Sequence, residues 1–110
     1  MGVEQLLFLG VSAAMLVGCL VPNSWLPRRL PNDKLMHFAG FAFLSVLAVR
    51  LASSQRQMML WMLGLLAAGL LIECLQILVP ERKFCWRDMA ANAAGIAFVA
   101  VGAHIYVAFA

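Results

Sequence analysis

The stretch MMLWMLGLLAAGLLIECLQILV, Met58 to Val79, decides the fold. Apart from Glu73 and Gln76 it is apolar throughout. At a rise of about 1.5 Å per residue it is long enough to cross the roughly 30 Å hydrocarbon core of a bilayer as an α-helix. Pro80 ends it, and a polar link, Ser53 to Gln57, precedes it. Outward in both directions the same kind of run recurs. Gln5 to Val21 is uncharged and stops at Pro22; Lys34 to Ala52 is interrupted only by His37 and Arg50; a last run starts near Asp88 and continues to the C-terminus. The expected fold class is all-α, an integral membrane bundle of four transmembrane helices at about 5–21, 34–52, 58–79 and 88–109, in a single domain over 1–110.

Composition agrees with that reading. Of 110 residues, 65% are hydrophobic and 12% charged, where soluble proteins carry roughly a quarter charged. A soluble domain of this length could not hide so much apolar surface in one core, whereas lipid can. The net charge of +3 and pI near 9.1 come from short clusters between apolar runs. There is no basic stripe or nucleic-acid module, so membrane lipid is the expected partner and nucleic acid is not. Cys19, Cys74 and Cys85 are odd in number and lack CxxC spacing, which indicates neither a disulfide framework nor a zinc site. The N-terminal Met-Gly-Val-Glu-Gln has no basic region of the signal-peptide kind, so the first run is expected to stay as a helix. Within it Gly10, Ala14 and Gly18 form a stripe of small residues that lets another helix approach closely, in a homo-oligomer for example.

Four spans put Pro22 to Lys34 and Glu81 to Arg87 on one side. That side carries Arg28, Arg29, Lys34, Arg82, Lys83 and Arg87, and the other only Arg50 and Arg56, so the positive-inside rule makes it cytoplasmic. Phe84 and Trp86 are interface anchors there. Four short spans make a thin bundle, in which a deep internal cavity is not expected.

Charged groups inside a span cost about 2.5 to 3.5 kcal/mol each at the centre, so each needs a reason. Nearly all of them lie at one level. Asp33, Lys34 and His37 open the second helix; Glu73 and Gln76 lie near the end of the third; Asp88 and Asn92 open the fourth, with Gly95 continuing the stripe. Spacings of three and four place each set on one face. The acids Asp33, Glu73 and Asp88 are balanced on paper by Lys34, Arg82 and Arg87. Such a cluster could hold an anion on Lys34, Arg82 and two helix N-termini. It could move protons between Glu73 and His37. It could also simply join the helices by interhelical hydrogen bonds.

Order and spacing resemble the VanZ-like family, named for a protein conferring teicoplanin resistance. Its pattern is an Asp-Lys followed shortly by His at a helix start, then Glu-x-x-Gln, then Arg-x-x-Ser-x-x-Asp-x-x-x-Asn-x-x-Gly. This chain has Asp33, Lys34 and His37, then Glu73 and Gln76, then Arg82, Cys85, Asp88, Asn92 and Gly95. Cys85 stands where the family has Ser, which puts in doubt a role needing a hydroxyl, and Val99 where a second Gly is common. The resemblance implies a multi-pass protein of the bacterial inner membrane linked to the cell envelope or glycopeptide tolerance. It implies no settled reaction.

The leading expectation is binding of an anionic lipid or lipid-linked wall precursor by Asp33, Lys34, His37, Glu73, Gln76, Arg82, Asp88 and Asn92. Lys34 and Arg82 would neutralise the anion, Glu73 and Asp88 orient those cations, and Gln76 and Asn92 complete the hydrogen bonds. One alternative is an intramembrane hydrolase or transferase with Glu73 or His37 as general base. Another is a non-catalytic assembly subunit that uses the Gly10 stripe. Against these, Asn32, Asp33 and Asp88 stand where N-caps stand, Arg87 where a flanking charge stands, and His104 near the opposite end is an interface residue. His37 has no second His or Cys at ligand spacing on its helix, so no metal is expected, and no motif calls for a cofactor.

Overall fold

A computed structural model describes residues 2–27 and 33–109. Arg28, Arg29 and the candidate cap Asn32 lie outside the described residues. The chain forms α1 (Val3–Leu20), a 3-10 turn (Asn23–Trp25), α2 (Asp33–Leu51), α3 (Gln55–Leu75) running into a second 3-10 turn (Gln76–Leu78), and α4 (Trp86–Phe109). All four helices are long and apolar enough to cross a membrane.

Two boundaries differ from expectation for local reasons. The link before α3 is shorter because Ser54 caps it. The Ser54 hydroxyl oxygen accepts from Gln57 N–H at 3.1 Å, while Gln57 Oε1 accepts from the Ser53 N–H and hydroxyl at 2.9 and 2.8 Å. Likewise α4 starts two residues before Asp88. The Cys85 carbonyl accepts from Asp88 N–H at 3.1 Å and Met89 N–H at 3.2 Å, which makes Cys85 the capping position. Asp88 is therefore not an N-cap, and its side chain is turned inward instead.

The outer surface is apolar, unlike that of a water-soluble bundle, and the core mixes apolar side chains such as Phe41, Leu44, Leu65, Ile72 and Ile96 with polar ones. Leu6, Leu9, Leu60, Leu63, Leu71, Phe98 and Val101 are exposed on the outside, while His37, Ser45, Glu73, Gln76, Asp88 and Asn92 are buried. In water that apolar surface would be an aggregation liability. In lipid it is the solvated face, and the polar groups take the interior because hydrocarbon cannot satisfy them.

Helix α2 is central, with 33% of its span buried against only 6% for α1. Its closest neighbour is α4, and Gly95 makes that approach possible. A Cβ at Gly95 would overlap the Phe38 carbonyl oxygen and come within 3.0 Å of Ala42 N. Helix α1 stands to one side of α2, where Met15 packs on Gly40, and is also held by the edge-to-face pair Phe8–Trp61 at 5.2 Å and by polar contacts at both ends. Its small-residue stripe packs on nothing: a Cβ at Gly10 or Gly18 would meet no atom within 4 Å, and Ala14 is exposed.

Candidate functional site

Asp33 and His37 are one turn apart on α2, and Lys34 sits beside them. Asp88 and Asn92 are one turn apart on α4, directly across the close crossing. The five side chains nearest that crossing form a compact array. Lys34 Nζ lies 2.5 Å from Asp88 Oδ1 and 3.5 Å from Asp33 Oδ2. The other oxygen of each carboxylate faces His37 Nε2, at 3.7 Å in both cases. On the opposite edge of the imidazole, Nδ1 and Asn92 Oδ1 are 2.8 Å apart. An amide oxygen can only accept, so this contact places a proton on Nδ1.

Helix α3 supplies the third wall. Gly69 leaves room for the Asn92 amide: a Cβ there would stand 3.0 Å from Asn92 Nδ2 and 3.2 Å from the Phe41 ring. One turn further, Glu73 is completely buried. Its Oε2 accepts from Cys85 N–H at 3.3 Å and its Oε1 has no hydrogen-bond partner among the described residues. Asn92 Nδ2 is likewise unpartnered, so a donor and an acceptor are left open inside the same three-helix crossing. Such groups cost about 1 to 3 kcal/mol each while unsatisfied.

Gln76 and Arg82 do something the sequence did not reveal. Gln76 Nε2 donates to Cys19 O at 2.9 Å, and Arg82 donates from Nε to Val21 O at 3.0 Å and from Nη2 to Gly18 O at 2.6 Å. These carbonyls close the C-terminal end of α1, where the helix dipole favours a cation. Arg82 is thus an α1 cap as much as a site residue. Arg87 is exposed and makes no ion pair among the described residues, so the expected charge balance fails. Among the described residues Asp33 and Asp88 pair with Lys34, while Arg82 is turned to the α1 carbonyls.

Glu81, Asn23 and Ser24 were missed. Glu81 has φ of 68° in the turn Val79–Arg82, closed by Arg82 N–H to Val79 O at 3.1 Å. Pro80 followed by a left-handed residue makes this a type II turn, in which Gly or Asn is usual. Glu81 is held there by the Asn23 amide, which donates to Glu81 O at 3.1 Å, and by the Ser24 hydroxyl, which donates to Oε1 at 2.7 Å. Only Pro80 signalled the turn in advance.

Because α1 stands apart, a cavity of about 760 Å³ opens between it and the polar array. Its floor is Asp33, Lys34, His37, Gln76, Arg82 and Asp88. Its walls include Val11, Ala14, Met15, Gly18 and Met36, and Glu81 and Lys83 also line it. Glu73 and Asn92 do not line it and sit behind His37 and Asp88. A thin bundle was expected to leave no deep internal cavity, and this one is open to the outside rather than enclosed. For a metal, one set of ligand-type atoms suffices in number: Asp33, His37 and Asp88 bring one atom each within 4.8 Å of one another. Asp33 and His37 come from α2, and α4 supplies the third, Asp88, across the crossing.

Fold and site together define an all-helical chain with four helices able to cross a membrane and an ionisable cluster gathered at one end of the bundle. Comparison with protein-family models, with curated proteins and with solved structures gives no match.

Proposed function

We propose that this is a multi-pass membrane protein that binds an amphiphile with an anionic head in the cavity beside α1, without making or breaking a bond. The observation that carries the reading is the shape and chemistry of that cavity. Polar side chains line one part of it, and apolar and small residues of α1 line another. An acyl or polyprenyl chain would lie along Val11, Ala14 and Gly18, and a phosphate-type head would meet Lys34, Arg82 and Lys83. The order of the motif residues supports placing the chain with VanZ-like proteins of the bacterial inner membrane. On that basis we propose that the ligand is an anionic lipid or a lipid-linked wall precursor, and that the biological effect is envelope or glycopeptide tolerance.

Catalysis by Glu73 draws little support from the geometry, since its carboxylate is sealed from the cavity and accepts from a backbone N–H. The self-association reading keeps one supporting observation, the unpacked stripe of α1.

The test is lipid binding by the purified chain in detergent, comparing phosphatidylglycerol and a polyprenyl phosphate with phosphatidylcholine. Gly18→Leu places a bulky side chain on the cavity wall, at a position where a Cβ meets nothing within 4 Å. Selective binding of the anionic probes, lost in Gly18→Leu and weakened in Lys34→Gln, is the expected result. Equal binding of all three probes, or no change in either variant, would sink the proposal.

A further inference from the structure

The array at the floor of the cavity is built around a gap that a cation fits. His37 is buried, and its Nδ1 proton is directed to Asn92 Oδ1 at 2.8 Å. In the neutral ring that tautomer leaves a lone pair on Nε2, and Nε2 faces Asp33 Oδ1 and Asp88 Oδ2 at 3.7 Å each. A lone pair aimed at two carboxylate oxygens is repulsive unless something positive sits between them. The separations exceed hydrogen-bond length, yet they are near the spacing of atoms that share one ion. Ligand atoms bound to one cation at about 2.1 Å stand roughly 3.4 Å apart in a tetrahedron.

The surroundings match those of metal ligands elsewhere. Histidines that bind metals almost always give their other ring N–H to an acceptor that fixes tautomer and orientation. Asn92 is that acceptor here. Lys34 holds Oδ1 of Asp88 and Oδ2 of Asp33, which turns the remaining oxygen of each toward Nε2. Asp33 is half-exposed, so its side chain is free to swing toward an ion. Charge points the same way. Of the cations that line the cavity, Lys34 is shared between the Asp33 and Asp88 carboxylates and Arg82 is engaged with the carbonyls of Val21 and Gly18.

We infer that Asp33, His37 and Asp88 bind a divalent transition cation of the zinc or manganese type, chosen by their mixed nitrogen and oxygen donors. The ion takes Nε2 of His37 and one oxygen from each aspartate, and its remaining positions open into the cavity. This deepens the reading of the cavity as an anion receptor, since the ion supplies positive charge that Lys34 and Arg82 already share with protein groups.

The test is a Zn²⁺ titration of the full chain, stripped with chelator and held in a zwitterionic micelle with no anionic lipid, read by competition with a chromogenic chelator. One Zn²⁺ per chain is expected. Asp33→Asn, an exposed substitution that leaves the bundle packed, is expected to weaken it about tenfold or more, and His37→Gln to abolish it. Asn92→Ala is expected to weaken it about ten- to hundredfold. His104→Gln and Cys74→Ser, at exposed donors elsewhere, are expected to change nothing. No stoichiometric binding, or unchanged binding in Asp33→Asn and His37→Gln, overturns the proposal. Lipid binding is measured separately, so zinc without lipid binding refutes only the receptor reading, and lipid without zinc binding refutes only the metal site.

Discussion

Replacing Gly95 by Ala tests whether the α2–α4 crossing organises the polar cluster. The added Cβ falls on the Phe38 carbonyl oxygen and within 3.0 Å of Ala42 N and 3.3 Å of Phe38 C, all backbone atoms of α2. No rotamer change relieves the overlap. The helices must separate by about 1 Å to restore ordinary contact near 3.5 Å. Overpacking of this kind costs about 1 to 3 kcal/mol, while removal of a helical glycine returns about 0.5 to 1 kcal/mol. The second effect is isolated by Gly64→Ala, whose Cβ meets nothing within 4 Å. Helix content followed by circular dichroism, as a mild detergent is replaced by a denaturing one, gives both stabilities. Gly64→Ala should equal or exceed the parent, and Gly95→Ala should fall below Gly64→Ala by about 1 to 3 kcal/mol. His37 directly precedes Phe38, and Asn92 lies one turn before Gly95. The same separation therefore pulls apart the His37–Asn92 bond. If the two glycine variants are equally stable, the close crossing is not what holds the site together.

Three further outcomes follow from the contacts at either end of the bundle. Arg82→Gln removes two charge-assisted bonds to the α1 carbonyls. At about 1.5 kcal/mol for such a half-buried group, alkylation of buried Cys19 should speed up about tenfold, read in a chain with Cys74→Ser and Cys85→Ser. A double-mutant cycle of His37→Ala and Asn92→Ala should give a coupling of about 0.6 to 1.7 kcal/mol, the span measured for hydrogen bonds between transmembrane helices, with unfolding in detergent as the readout. By contrast, Arg50→Gln breaks the Glu4–Arg50 pair at the opposite, exposed end and should change stability by no more than about 0.5 kcal/mol.

The four spans were legible because hydrocarbon imposes a length and a composition that few other environments demand. The cluster was legible for a related reason. Asp33, His37, Glu73, Gln76, Asp88 and Asn92 are costly in a span, so finding them at one depth on three helices predicted their convergence, and five of the six are buried together. What each does was harder to read. A sequence shows that Arg82 lies near the cluster but not that its guanidinium reaches the carbonyls of Val21 and Gly18, because that depends on where α1 ends in space. Arg87 was read as a flanking charge, and it is exposed in the first turn of α4, whereas Arg82 lies in the turn before that helix and points back to α1. Asp88 looked like a cap because the helix start was placed two residues late. Glu81 gave no signal at all, because a positive φ at a charged residue is enforced by Asn23 and Ser24 from a distant loop.

The small residues and the polar residues of this chain explain each other. In lipid the hydrophobic effect does not draw helices together, so close approach must come from packing and from bonds between helices. Gly95 brings the α4 backbone onto α2, and Gly69 opens the space on α3 that the Asn92 amide fills. Asn92 thus sits between two glycine-made contacts, with its oxygen on His37 and its nitrogen toward α3. A side chain at either glycine would displace the amide that fixes the imidazole, and the imidazole could no longer present Nε2 to Asp33 and Asp88. The chemistry at the cavity floor accordingly depends on two residues that carry no functional group, and loss of site function by Gly69→Ala with the four helices still formed is the result that dependence requires.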